Sequence, residues 1–110
     1  MISPERLTVK AGEAFNAAVS EARRAGNPLV YDLHLLIALL DQQESIVVPI
    51  LQKLGVNVAS VRDQTRREIA RYPKQSDAQP NLSRELNQVL DRADDEARKL
   101  GDEYVSTEHM

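Results

Sequence analysis

The feature of this sequence that most constrains its fold is an uninterrupted apolar stretch directly after His34. The stretch consists of Leu35, Leu36, Ile37, Ala38, Leu39 and Leu40. A helix over these residues is apolar on every side, and such a helix is normally buried on every side. Burying the five larger aliphatic side chains contributes roughly 8–15 kcal/mol, at about 1.5–3 kcal/mol each, which is comparable with the net stability of a typical domain. We therefore expect a central helix around which the other segments pack.

The composition is typical of one small helical domain. The 110 residues include one Phe, three Tyr and no Trp, so the core must be aliphatic and rich in alanine, which favours helix packing over a sheet. The chain has no Cys, which excludes disulfides, thiolate metal sites and a cysteine nucleophile. A formal net charge of −3 argues against nucleic acid as the main partner. The apolar stretch is shorter than the roughly 20 residues that span a bilayer, and the first residues are polar, so we expect a cytoplasmic protein with no membrane partner.

Apolar periodicity and capping residues predict five helices. The predicted N-caps, in chain order, are Ser3 or Thr8, then Asp32, Ser45, Asn57 and Ser83. The predicted helix ends are Gly26, Asp41, Leu54, Tyr72 and Gly101. Residues 74–80 are predicted to form a loop, and residues 29–31 and 104–105 short extended connectors. No segment shows the alternation of a strand between hairpin turns, so the predicted fold class is all-α.

The sequence also contains an internal repeat with an offset of 75 residues. Residues 7–35 align with residues 82–110 without a gap, and 8 of the 29 aligned pairs are identical. The identical residues, numbered in the first copy, are Leu7, Ala18, Glu21, Ala22, Arg23, Gly26, Val30 and His34. The repeated unit is a long helix, a glycine stop, a connector ending in valine and a helix led by histidine, which indicates units that bury a shared core. We expect a two-repeat domain that stops within its second copy.

These residues resemble the N-terminal domain of the Clp chaperone ATPases, which is a tandem repeat of four-helix units. The resemblance rests on the repeat, on residues 34–40, on residues 54–56 (Leu-Gly-Val) and on residues 101–109, and it covers the whole chain. Within this family, Ser45, residues 49–51 and residues 71–73 make the chain most similar to the ClpB disaggregases. The resemblance implies an incomplete Clp repeat domain of five helices and the start of a sixth. Its expected parts are repeat one at 1–73, a linker at 74–81 and part of repeat two at 82–110.

The resemblance further implies a function in the capture of protein clients. The family domain binds unfolded or aggregated proteins, or adaptors, and passes them to a hexameric AAA+ ring. This chain has no Gly-x-x-x-x-Gly-Lys-Ser/Thr phosphate-binding motif, so we expect a non-enzymatic domain without a cofactor, whose parent holds ATP and Mg²⁺ in separate AAA+ modules. Thr8, Asp102 and Glu108 match substrate-binding positions of the family, and pseudo-twofold packing of the repeats would bring them together. Protease-linked relatives often carry the acid in both repeats, but the first repeat here has Leu33 at the position of Glu108.

Other residues allow other interpretations. His34 and His109 could form a metal pair, but they lack the helical spacing of a zinc site, which favours a structural role at the helix starts, beside Asp32 or Thr107. Glu108 with neighbouring acids could be a general acid–base pair, but nothing supplies the cleft that such a pair needs.

A basic stripe on the fourth helix supports the second hypothesis, an all-α nucleic-acid-binding domain. The stripe consists of Arg62, Arg66, Arg67 and Arg71. Asp63 and Glu68 interrupt it, which favours a solvated face, and steep salt dependence would distinguish phosphate binding from client binding. A third hypothesis is a purely structural docking domain.

The fifth helix carries an apolar stripe that the first repeat alone is not expected to cover. The stripe consists of Leu86, Val89, Leu90, Ala93, Ala97 and Leu100. Because exposed apolar patches favour association, we expect the isolated chain to self-associate, for example by exchange of the fifth helix between two copies.

Overall fold

A computed structural model describes residues 4–75 and 79–110, and five α-helices account for most of this part of the chain. The helices are α1 (Val9–Arg24), α2 (Asp32–Asp41), α3 (Val47–Lys53), α4 (Val58–Ile69) and α5 (Arg84–Lys99). Short 3-10 turns span Pro4–Arg6 and Thr107–His109. The all-α prediction is confirmed, and the second 3-10 turn lies where the sixth helix was expected to begin.

Three of the predicted N-caps are confirmed by hydrogen bonds to the first turn of their helices. Thr8 Oγ1 accepts from the N–H of Ala11 at 3.2 Å, and Ser83 Oγ accepts from the N–H of Leu86 at 3.0 Å. Asn57 likewise accepts from the third residue after it, at 3.1 Å. Ser3, the alternative cap of α1, lies outside the described residues.

The predicted cap of α2 is wrong. Tyr31 is the N-cap residue and Asp32 is the first residue of the helix. The side chain that satisfies the helix start is His34, whose Nδ1 accepts from the N–H of Tyr31 at 2.8 Å. Asp32 therefore only bonds its neighbour, since its Oδ1 accepts from the N–H of Leu33 at 3.0 Å.

Helix α2 forms the centre of the molecule and packs against each of the four other helices. Its buried residues are His34, Leu35, Ile37, Leu39 and Leu40. Leu36 differs from these, because its side chain is only half-buried. The prediction of a central buried helix is therefore confirmed except at Leu36 and Ala38, which are only partly buried.

Alanines on α1 and the apolar stripe of α5 belong to one core, which also includes Leu35 and Leu39 of α2. Ala14, Ala18 and Ala22 of α1 are at most 1% exposed. They share one core cluster with Leu86, Leu90, Ala93 and Ala97 of α5. The apolar stripe of α5 is therefore mostly buried within this chain, with Leu100 the exposed exception.

Two short parallel pairings cross between the repeated segments, and the sequence did not predict them. Strand β1 (Leu29–Val30) pairs with β2 (Asn81–Leu82), so that Val30 lies opposite Leu82. The second pairing is a single bridge between Leu7 and Val105. An offset of 75 residues converts one pairing into the other, because Leu7 corresponds to Leu82 and Val30 corresponds to Val105. Each repeat thus contributes its first residue to the connector of the other repeat, which is the pattern of a pseudo-twofold axis.

An ion pair strengthens the second crossing. The guanidinium of Arg6 donates from Nε and Nη2 to Oδ1 of Asp94 on α5, at 3.2 and 2.6 Å. Chiefly through this hydrogen bond, the pKa of Asp94 lies below its ordinary value. Arg6 also donates to the backbone oxygen of Glu103, so it holds the first turn of the chain against both α5 and the segment after it.

The expected linker is described only in part. The N–H of Gln75 donates to the backbone oxygen of Gly26 at 2.7 Å, and Asn81 already belongs to β2. Residues 76–78 lie outside the described residues, so the repeat boundaries at 73 and 82 stay a prediction.

Candidate functional site

The first matched element of the site is the turn that enters α2. Asn27 and His34 are both fully buried, and His34 Nε2 lies 3.0 Å from Oδ1 of Asn27. Because Nδ1 of the same ring accepts from the N–H of Tyr31, Nε2 carries the hydrogen and donates it to the asparagine. Burial lowers the pKa of His34 below its ordinary value, an effect that the nearby charges of Glu21 and Asp32 oppose.

The second matched element is the turn formed by Thr107–His109. The N–H of Ser106 donates to His109 Nδ1 at 2.8 Å, and His109 Nε2 lies 2.9 Å from Oδ2 of Asp102. Each of these residues lies 75 positions after its counterpart in the first turn. The structural interpretation of the histidines therefore agrees with the geometry, but their partners are Asn27 and Asp102 instead of Asp32 and Thr107.

The two turns differ in the charge and exposure of the histidine's partner. Asn27 is a neutral amide with no exposed surface, and its Nδ2 also donates to the backbone oxygen of Pro73 at 2.9 Å. The side chain of Asp102 is 50% exposed, although that of His109 is only 4% exposed. The second turn thus has the same hydrogen bonds to its histidine ring as the first, but the partner of that ring is exposed to solvent.

The three residues that the sequence predicts as substrate-binding lie in converging segments without bonding one another. Thr8 caps α1, and its N–H donates to the backbone oxygen of Val105 at 3.0 Å. Asp102 bonds His109, which is the last residue of the Thr107–His109 turn. Glu108 is exposed in that turn. In the described residues no hydrogen bond or ion pair joins any two of the three.

An apolar groove lies beside Glu108, and sequence reasoning did not predict it. The groove has a volume of about 260 Å³. It is lined by Leu36, Leu39, Val47, Ile50, Leu51, Thr107, Glu108 and Met110. A second concavity, lined in part by Asp32, Leu33 and Val89, shares Leu36, Leu39 and Met110 with it. The sequence signal was the apolar face of α3, a helix in which no residue is buried.

A concavity between α1 and α2 has similar size but a different chemistry. Its volume is about 280 Å³, and Glu13, Glu21 and Asp41 lie on its wall. Arg66 binds two of these carboxylates, at 3.0 Å from Glu21 and 3.1 Å from Asp41. Because arginines already pair with Glu21 and Asp41, the groove beside Glu108 is the better site for a partner.

Two of the four arginines of the basic stripe, Arg62 and Arg66, contact other helices, whereas Arg67 and Arg71 are exposed. Arg62 Nε lies 2.9 Å from Oδ1 of Asp41, and its Nη2 donates to the backbone oxygen of Leu40 at 2.9 Å. Arg66 joins α4 to α1 and α2, as described above, and Arg71 lies 3.6 Å from Glu68. The stripe therefore acts in part as a clamp between helices, and it is not simply a solvated face.

Within residues 4–75 and 79–110, no group of three or more His, Asp or Glu side chains could hold a metal ion. In the same part of the chain, no helix is both long and apolar enough to cross a membrane.

Comparison with known proteins now identifies the family. The family model described as the Clp repeat (R) N-terminal domain matches residues 6–110, which include both turns and the groove. The chain belongs to this family. The resemblance drawn from the repeat, the apolar stretch and residues 101–109 is confirmed.

The curated relatives of this Clp repeat domain include several ClpB chaperones. ClpB of Mycobacterium tuberculosis (strain H37Rv) is 45% identical over 105 residues, a match that covers 94% of this chain and 12% of that protein. ClpB of Corynebacterium glutamicum is 39% identical over 104 residues, covering 92% of this chain and 12% of that protein. This chain therefore spans only about an eighth of the length of the curated relatives it matches.

Solved structures have the same fold. The N-terminal domain of Hsp104 from Candida albicans has a TM-score of 0.82 at 23% identity, and the match covers 94% of this chain and 69% of that chain. A ClpV N-domain in complex with a VipB peptide has a TM-score of 0.75 at 26% identity, covering 93% of this chain and 62% of that chain.

Proposed function

We propose that this chain is the client-binding module of a ClpB-type, ATP-dependent protein disaggregase. It captures unfolded or aggregated protein segments weakly and concentrates them near an AAA+ ring that the chain itself does not contain. The observation that carries this proposal is the apolar groove between α2, α3 and the Thr107–His109 turn, with the exposed carboxylate of Glu108 on its edge.

The groove matches segments that combine apolar and basic residues. Its wall is formed mainly by aliphatic side chains from α2 and α3, which exclude water from an apolar client side chain. Glu108 supplies a negative charge at one end, and Asp32 supplies another in the adjoining concavity. An arginine or lysine that flanks an apolar client residue would therefore be attracted, whereas an acidic residue there would be repelled.

The size of the groove predicts weak binding. A volume of about 260 Å³ is below the range of roughly 300–1,000 Å³ typical of sites that enclose a small molecule. Such a groove accommodates a few side chains of an extended or helical segment and leaves the remainder in solvent. Weak binding suits a tethered module, because the effective concentration of the client near the ring supplies the rest of the affinity.

The relatives support a peptide-binding role. The ClpV N-domain with the same fold was solved in complex with a VipB peptide, so a protein of this family binds a protein segment. An adaptor protein that presents such a segment would use the same groove. The nucleic-acid alternative lacks comparable support, because Arg62 and Arg66 are bound to Asp41 and Glu21.

A peptide-binding experiment tests the proposal. A short fluorescent peptide rich in leucine, flanked by arginines, is titrated with the full chain, and a second peptide carries glutamines in place of the arginines. We expect the arginine peptide to bind more tightly, and Ile50→Ser and Glu108→Gln each to weaken it. The loss at Glu108 should be a few-fold, since an exposed ion pair contributes about 0.2–1 kcal/mol.

Matched control variants distinguish binding in the groove from nonspecific binding to other exposed apolar or acidic residues. Leu100→Ser removes an exposed apolar side chain that does not line the groove, and Glu103→Gln removes an exposed acid near Asp102. Neither should change the affinity. Equal losses at Leu100 and Ile50, or binding that falls steeply with salt for both peptides, would contradict the proposal.

A further inference from the structure

We propose that Asp102 contributes to client binding as a positioning residue that acts through His109, and that its negative charge does not contact the client. This inference rests on the proposed function of the groove and of Glu108. It concerns how the Thr107–His109 turn is held in the orientation that presents Glu108 to the groove.

The hydrogen-bond chain leads from Asp102 to the segment that carries Glu108. Oδ2 of Asp102 lies 2.9 Å from His109 Nε2, and Nδ1 of that ring accepts from the N–H of Ser106 at 2.8 Å. The turn is closed by the N–H of His109, which donates to the backbone oxygen of Ser106 at 3.0 Å. Glu108 lies between these two residues, so the ring fixes the backbone on both sides of it.

Asp102 fixes the ring by accepting its hydrogen. Nδ1 can accept from Ser106 only if the hydrogen of the neutral imidazole is on Nε2, and an acceptor opposite Nε2 favours that tautomer. The ring has little other freedom, because the side chain of His109 is only 4% exposed. Loss of the acceptor would leave Nε2–H without its protein partner, and the resulting loss of one hydrogen bond favours a shift of the ring or the turn.

The first repeat shows that a neutral acceptor can perform the same task. Asn27 holds His34 at 3.0 Å, and His34 accepts from the N–H of Tyr31 at 2.8 Å, so the geometry matches that of the second turn. An amide oxygen is therefore sufficient to hold a histidine-led turn in this fold. What Asp102 adds over an asparagine is charge, and that charge is directed at the ring.

The substitution Asp102→Asn consequently separates the two possible roles. It places in the second turn the acceptor that the first turn already uses, and it removes the negative charge. Asp102→Ala removes the acceptor as well. If Asp102 positions the turn, the asparagine variant should bind the leucine–arginine peptide as the wild type does, and the alanine variant should bind it roughly twofold to tenfold more weakly, the range for one hydrogen bond.

Glu108→Gln and Glu103→Gln serve as charge controls on the same segment. Glu108→Gln should weaken binding to the arginine peptide, because this carboxylate is the one at the groove. Glu103→Gln should not, since it removes an exposed acid next to Asp102 without touching the bond to His109. Equal losses in Asp102→Asn and Asp102→Ala would overturn the proposal, because the charge itself would then be required.

A second readout does not depend on client binding. Nitrogen-15 NMR of the histidine rings reports which ring nitrogen carries the hydrogen, and the amide signals of residues 106–109 report the turn. We expect His109 to keep its Nε2–H tautomer in Asp102→Asn and to lose it in Asp102→Ala, together with shifts at residues 106–109. An unchanged ring and turn in Asp102→Ala would overturn the positioning role.

The two readouts distinguish failure of this inference from failure of the proposed function. If the wild-type chain binds neither peptide but the ring responds as expected, the groove is not a client site and Asp102 still positions the turn. If the wild type binds and the ring is insensitive to Asp102, the function stands and the positioning role is wrong.

Discussion

Two leucines on the same face of α2 differ in the exposed fraction of their side chains. Leu36 and Leu39 both line the groove, but Leu39 is only 5% exposed and belongs to the core cluster, whereas Leu36 is half-buried. Replacing a leucine with alanine costs the transfer free energy of the lost atoms and the cavity that remains. The two sites therefore test whether the groove is an open surface or part of the core.

We expect Leu39→Ala to lower the free energy of unfolding by about 2–5 kcal/mol. Leu36→Ala should cost clearly less, because its side chain already contacts solvent. Urea unfolding followed by far-ultraviolet circular dichroism measures both, and it is suitable because the chain has three Tyr and no Trp to report by fluorescence. Equal and large losses would show that Leu36 is a core residue and that no groove is open beside it.

His34 makes stability depend on pH in a definite direction. Burial holds its pKa below the ordinary value of 6.5, so the unfolded chain binds more protons than the folded chain at pH values between the two. Stability therefore rises with pH across that window and falls as pH decreases below about 6.5. Protonation would also remove the Nδ1 acceptor for the N–H of Tyr31.

We predict that His34→Gln loses this dependence. Its stability at neutral pH should be lower, because glutamine cannot reproduce both hydrogen bonds of the ring. The slope of unfolding free energy against pH between about 5 and 7 should nevertheless be shallower than in the wild type. Urea titrations at a series of pH values give the slope, and an unchanged slope would assign the pH dependence to other groups.

At the scale of helices, the caps show how locally encoded this fold is. Thr8, Asn57 and Ser83 cap their helices as the sequence predicts, because a side-chain oxygen three residues before a free N–H is a purely local arrangement. Asp32 does not cap α2, because the helix begins one residue earlier than predicted, with Tyr31 as its N-cap residue and Asp32 already in the first turn. A displacement by one residue, in the opposite direction, occurs at α3, whose N-cap residue is Ile46 and not the predicted Ser45.

We expect Thr8→Ala to destabilise the protein by roughly 0.5–2 kcal/mol and Thr8→Ser to be nearly neutral. Ser83→Ala should cost at least as much as Thr8→Ala, because Ser83 is only 1% exposed and water cannot replace its oxygen. Thermal unfolding of the three variants gives the comparison. If Thr8→Ser weakens peptide binding without changing stability, Thr8 also contacts the client, as the family resemblance predicts.

The strand pairings lie beyond what the sequence could predict. Each involves only one or two residues per segment, which is too short for the alternation that indicates a strand. The 75-residue offset did contain the necessary correspondence, since Leu7 and Leu82 and Val30 and Val105 are identical pairs. The alignment does not show, however, that each leucine pairs with the valine of the other repeat, because this pairing depends on the tertiary structure.

The groove was equally hidden, because it is formed by residues far apart in the sequence. Leu36, Ile50 and Met110 come from three separate segments. Sequence reasoning placed Leu36 in the core since a helix that is apolar on all sides is normally buried. The substrate-binding roles of Thr8, Asp102 and Glu108 stay predictions.

Among the residues that the structure describes, three of the exposed large apolar side chains lie on or beside α3, whereas most of the apolar stripe of α5 is buried. Most of the stripe of α5 lies in the core that it shares with α1 and α2, with Leu86, Leu90, Ala93 and Ala97 buried. On or beside α3, Ile46 is 48% exposed, Ile50 42% and Leu54 74%. The expected self-association therefore stays a prediction, but the structure favours a contact through α3 and the groove over exchange of α5.

We predict that the chain forms a weak, rapidly reversible dimer through this surface. Burying aliphatic side chains favours the contact, while a net charge of −3 on each copy opposes it, so the dimer should strengthen when salt screens that repulsion. Sedimentation velocity over a range of concentrations, with and without salt, measures the equilibrium. Ile50→Lys should abolish the dimer, and Leu100→Lys, an exposed site outside the groove, should leave it intact.

A dimer that persists for hours after dilution would instead indicate exchanged helices, because α5 must leave the core before the copies can separate. A chain that remains monomeric under all these conditions would contradict both the contact through α3 and the exchange of α5. If the dimer contact and the peptide use the same groove, the leucine–arginine peptide should compete with the dimer.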